Sequence, residues 1–96
     1  MATAAETYTQ LGPNCVESSA SYRVRGAART CVLYSEADRE VAVEVEPGDG
    51  LAVYAQTIVA WRPPNEASPL SEGDRKRIMV RVVDALRYMG VSAIPS

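Results

Sequence analysis

Two adjacent prolines, Pro63 and Pro64, divide this chain into a sheet-forming part and a helix-forming part. Neither can donate to a strand ladder, so the strand that carries Val53 to Val59 must stop by about Trp61. Pro63 to Leu70 then reads as an ordered surface connection. Ser71, with a carboxylate three residues on at Asp74, is a capping-box start with Asp in place of the commoner Glu. Beyond it Ile78, Met79, Val82, Val83, Leu86 and Met89 recur at helical spacing, and Gly90 stands where a left-handed C-cap belongs. The spacing predicts one helix from about Glu72 to Met89.

Upstream, the pattern is that of short strands. Met1 to about Ala20 shows no sustained period and is dominated by Ala, Thr, Ser, Gly and Pro, which reads as an N-terminal extension with at most short local structure. Tyr22 and Val24 alternate with Arg23 and Arg25, Gly26 to Arg29 intervene, and Thr30 to Tyr34 follow, as in a hairpin. After a turn at Glu36-Ala37-Asp38, Val41, Val43 and Val45 face one way, while Glu40, Ala42, Glu44 and Glu46 face the other. Pro47-Gly48-Asp49-Gly50 is a turn signal in which both glycines can take positive φ. The nearly continuous apolar run from Leu51 to Ala60 suggests a strand covered on both faces, or one lying centrally under the helix, and Val91 to Ile94 a short edge strand. The order β-β-β-β-α-β predicts an α+β fold: an antiparallel or mixed sheet of about four to five strands, with the helix on one face. Residues 21–96 then form a single domain behind the extension of residues 1–20.

Ninety-six residues, 47% hydrophobic and 23% charged, suffice for one modest core and exclude a disordered chain. The apolar runs are far short of a membrane span, and the N-terminus lacks the layout of a secretory signal, so a cytoplasmic protein is expected. Cys15 and Cys31 are the two cysteines, and that compartment gives a disulfide between them no support. The sequence has no histidine, which removes the commonest general base and a major metal ligand. Two distant cysteines alone do not make a zinc site. No enzyme and no cofactor are therefore expected, and the stripe Glu40, Glu44 and Glu46 is the one candidate for carboxylate chemistry.

That stripe has three readings: a solvated strand face, an oxygen site for a divalent cation, or an acidic docking surface for a basic partner. Six acids against the single Arg39 between Glu36 and Asp49 make the region negative, whereas Arg75, Lys76, Arg77, Arg81 and Arg87 crowd the helix. Arg77, Arg81 and Arg87 with Tyr88 read as a polar outer face, or as a binding face for phosphate or acidic groups. With a formal net charge of −2 the chain lacks the overall basic character of a nucleic-acid-binding domain. Trp61 fits an interface anchor as well as a core residue stacked on the prolines.

With these residues in place, the segment from about Tyr22 to Ile94 resembles immunity protein 74, a bacterial immunity-protein family of polymorphic toxin systems. The matching pieces are a β-rich half, then Tyr54, Ile58 and Trp61, the turn closed by Pro64, Pro69-Leu70-Ser71 with a charged first turn, Ile78 within the helix, and Gly90 before a last short strand. Arg62 departs from the pattern, standing where an acidic or polar residue is expected, and the extension before Ala20 is unusual. The resemblance implies a protein that binds and neutralises a cognate protein toxin, without membrane, metal or cofactor. Tyr54, Ile58, Trp61, Pro64 and Ile78 are its family positions, expected to be mainly structural. Glu40, Glu44, Glu46, Trp61 and Arg62 are the expected partner-binding residues. Two alternatives stand beside it: a small regulatory or nucleic-acid-binding module using Arg77, Arg81 and Arg87, and a domain that homo-oligomerises through Val91 to Ile94 or the first hairpin.

Overall fold

The structure, a computed structural model, describes residues 7–96. It is α+β: seven strands in one mixed sheet, with a single C-terminal helix on one face. The strands are β1 (Tyr8–Gly12), β2 (Cys15–Ser18), β3 (Tyr22–Ala28), β4 (Cys31–Glu36), β5 (Arg39–Pro47), β6 (Leu51–Val53) and β7 (Ala93–Pro95), adjacent in that order. All neighbours run antiparallel except β6 and β7. That pair is parallel because helix α1 (Glu72–Tyr88) carries the chain back across the sheet between them.

The expectation of four to five strands is too low, and the error lies in the residues read as an extension. Tyr8 to Ser18 form a hairpin that pairs onto β3, with Val16 opposite Val24. Its signal is weak because only Val16 and Ser18 of these strands are buried, too few to show a period. The domain therefore begins at least as early as β1, and residues 1–6 lie outside the described residues. The strand expected from Leu51 to Ala60 also stops early, at Val53. The Thr57 hydroxyl accepts the Glu44 N–H and donates to the Tyr54 carbonyl, closing a short 3-10 turn at Ala55–Thr57 where a ladder would have continued.

Helix α1 follows its sequence closely. The Ser71 side chain accepts the Asp74 N–H while Asp74 accepts the Ser71 N–H, a complete capping box. At the other end Gly90 has φ of +89°, and the bonds from Gly90 N–H to Arg87 O and from Val91 N–H to Leu86 O form a Schellman motif. Ile78, Val82, Ala85 and Leu86 are buried against Val16, Val24, Tyr34, Val41, Val43, Val45 and Val53, the inward positions of β2 to β6. Each large aliphatic contributes roughly 1.5–3 kcal/mol on burial, so the helix is a necessary half of the core.

The sheet curls about the helix. Tyr8 in edge strand β1 stacks on Tyr88 at 5.0 Å, while Arg87 donates to the Ala93 carbonyl in edge strand β7 at 3.0 Å. Consecutive helix residues thus touch the two edges of the sheet. Gly50 shows a different glycine requirement from the positive φ expected of it. A Cβ there would lie 2.7 Å from the Ser92 carbonyl oxygen, so the β5–β6 turn needs a residue without a side chain to pass that close.

Candidate interaction site

Alternation along β5 places Arg39, Val41, Val43 and Val45 toward the helix and Glu40, Ala42, Glu44 and Glu46 on the uncovered face, as the sequence pattern predicts. The acids of that face are not equivalent. The Glu40 carboxylate lies 3.0 Å from the Arg62 guanidinium and 3.5 Å from that of Arg25, and the Ser35 hydroxyl donates to it at 3.3 Å. Its charge is more than matched. Glu44, Glu46 and Asp49 are exposed, and among the described residues none forms an ion pair. Glu46 accepts the Tyr54 hydroxyl; this bond, burial and the neighbouring Glu44 raise the phenol pKa.

The chain from Tyr54 to Arg62 runs beside β5. Tyr54 N–H donates to the Glu44 carbonyl at 3.0 Å and Arg62 N–H to the Glu40 carbonyl at 2.7 Å. Between these two fastenings Ile58 and Trp61 turn into the core, at 0% and 1% exposure, and Val59 turns out, at 66%. Tyr54, Ile58, Trp61 and Ile78 therefore hold this strap to the sheet and helix, while Pro64 is exposed, following Pro63 through a cis peptide.

Trp61 is thus unavailable to a partner, against the expectation that its edge would form part of a contact surface. The Arg39 guanidinium covers the indole at 4.3 Å from its centroid, a cation–π contact. Arg62 is exposed, but its backbone and side chain are both bound to Glu40. Of the five expected contact residues, the structure keeps Glu44 and Glu46 together with a free charge, ties Glu40 to Arg62, and buries Trp61. Val59 was missed because the apolar run around it reads as strand interior.

The expected outer face of arginines on the helix does not exist either. Glu36, the last residue of β4, is on the inward side opposite Tyr22 and draws the helix cations onto the sheet. Arg77 donates to it at 2.7 Å, Arg39 at 3.0 Å and the Tyr34 hydroxyl at 2.7 Å. Arg81 donates to the Tyr34 oxygen at 2.9 Å and lies 4.6 Å above the Tyr22 ring. Arg87 turns to β7, and Tyr88 to Tyr8. Burial pushes the Glu36 carboxyl up, but the hydrogen bonds from Tyr34, Arg77 and Arg39 outweigh it and leave it below the usual carboxylate range. Burial, partly opposed by Arg81, pushes the Tyr34 phenol up to about 12. The Ser71 N–H and then Arg77 hold Asp74 down at about 2.

Cys15 and Cys31 are free thiols on β2 and β4, with β3 between them. Two strand spacings put their backbones roughly 10 Å apart, beyond disulfide reach. Among the described residues no group of three or more Cys, Asp or Glu is arranged to hold a metal ion, and no helix is long and apolar enough to cross a membrane. Comparison with protein-family models, curated proteins and solved structures returns no match to this chain.

Proposed function

We propose that this protein is an immunity-type inhibitor that binds and neutralises a cognate protein toxin by surface contact, in the cytoplasm of the producing cell and without catalysis. The observation that carries the reading is the patch on the uncovered sheet face. There Glu44 and Glu46 keep uncompensated charge, with unpaired Asp49 in the turn after β5 and an exposed Val59 on the strap fastened to β5, while Glu36 and Glu40, on the same β4–β5 hairpin, are saturated with arginine. Such a surface would attract a basic partner at long range, raising the association rate and setting specificity, with Val59 supplying apolar contact. The alternative that uses Arg77, Arg81 and Arg87 for nucleic acid loses its support, because those groups are already bound within the fold.

The test begins with a tagged protein and the effector that it retains from its native organism. Glu44→Lys combined with Glu46→Lys is expected to weaken that complex by at least about tenfold, chiefly through the association rate, and to leave the thermal melt unchanged. Unchanged affinity in the folded double variant would remove this surface from the reading.

A further inference from the structure

Where β4 begins and β5 ends, the core is not sealed. A cleft of about 410 Å³ opens between the β3–β4 hairpin and the C-terminal end of the helix, floored by Val32, Val45 and Leu86 and walled by Leu51, Met89 and Val91. The hairpin residues 26–28 on its other side carry no side chain larger than a methyl group. Both walls are fixed by backbone bonds. Gly26 N–H donates to the Asn14 carbonyl at 2.8 Å, Val45 N–H to the Thr30 carbonyl at 3.0 Å, and Val91 N–H to the Leu86 carbonyl at 2.9 Å. The opening is therefore already formed, and its volume lies in the range of about 300–1,000 Å³ usual for small-molecule sites.

One charged residue lines this cleft, Arg29, and no acid does. Arg29 is also exceptional in the molecule. Arg23, Arg25, Arg39, Arg62, Arg75, Arg77 and Arg81 each meet a carboxylate, and Arg87 meets a carbonyl. Among the described residues Arg29 alone of the arginines has no hydrogen bond or ion pair. An unengaged arginine among the lining residues of an acid-free cleft with an apolar floor matches a ligand with one anionic end and an apolar body. A planar carboxylate can take two parallel N–H bonds from a guanidinium. We propose that this cleft binds a small amphipathic carboxylate, its head on Arg29 and its hydrocarbon body over Val32, Val45 and Leu86.

The inference does not depend on the toxin-inhibitor reading, and its test uses a separate surface. The full chain, labelled with 15N, would be titrated with hexanoate, octanoate and decanoate, and with 1-octanol as the uncharged control. Amide shifts confined to residues around the cleft are expected, with affinity rising about fourfold for each added methylene that is buried. Arg29→Gln should weaken octanoate about tenfold and leave 1-octanol unaffected. Ala28→Trp, a substitution at an exposed position, should abolish binding of both. Octanoate binding equally well to Arg29→Gln, shifts mapping away from the cleft, or no shifts with any member of the series would each overturn the proposal. The Glu44→Lys, Glu46→Lys variant should bind uncharged 1-octanol like the parent, which keeps failure of this site distinct from failure of the toxin contact.

Discussion

The two ends of the β4–β5 hairpin are made from the same residue types and end up in opposite states. At the turn, an apolar plug of Ile58 and Trp61 closes the core, Arg39 lies over the indole, and Glu36 ties Arg39 and Arg77 into one polar cover. At the far end Val32, Val45 and Leu86 lie at the bottom of an open cleft, and Arg29 has no partner. The difference comes from a single acid. Glu36 points inward and gives the arginines around it a fixed arrangement, whereas no carboxylate lines the other opening. An arginine near a core opening acts as a lid only when something anchors it.

The comparison breaks most sharply at the plug. Trp61→Ala should cost about 3–5 kcal/mol in a denaturant titration, because it deletes a fully buried aromatic and strands Arg39. Met89→Ala, at the half-buried wall of the open end, should cost only about 1 kcal/mol by the same measurement. Equal losses at the two positions would show that the open end is packed as tightly as the closed one.

A smaller effect at the closed end is its response to pH. Glu36 and Asp74 have depressed pKa values in the folded chain, so their contribution is complete above the ordinary carboxylate range and is lost as pH falls, for Asp74 between 3.8 and about 2. Tyr34 behaves in the opposite sense. Its raised pKa gives a contribution that is complete below 10.0 and is lost as pH climbs to about 12. Denaturation midpoints should therefore fall on both sides of a broad plateau, and Tyr34→Phe should make the alkaline limb shallower, leaving the part due to Tyr54 and the acid limb. An alkaline limb of unchanged depth would take Tyr34 out of the account.

The smallest change concerns the turn itself, where Ala37 has φ of +53°. A left-handed backbone costs an alanine roughly 1–2 kcal/mol, and glycine avoids that at some entropic loss. Ala37→Gly should accordingly raise stability by about 0.5–1 kcal/mol, read as a higher denaturation midpoint. A loss on substitution would mean that the alanine methyl makes a contact worth more than the strain.

What the sequence disclosed follows the range of the interactions involved. The capping box of Ser71 and Asp74, the Gly90 cap and the β5 alternation are set by neighbours within a few residues, and they read correctly. The β1–β2 hairpin was hidden because its inward residues are few and mixed, and its stability comes from pairing with β3. The fate of Glu40 depended on Arg25 and Arg62 arriving from other parts of the chain. Likewise, nothing in the spacing of nine arginines marks Arg29 as the one without a partner; that is a property of strand register. Trp61 sat between two readings until the strap geometry turned its ring inward.

Helix residues Arg87 and Tyr88 grip β7 and β1, elements separated by nearly the whole chain. The first strand is already paired with β2, and the last turn of the helix adds the contact that joins this edge to the opposite one. In topological terms the helix end works as a clasp, and it makes a local chain of hairpins behave as a single cooperative unit.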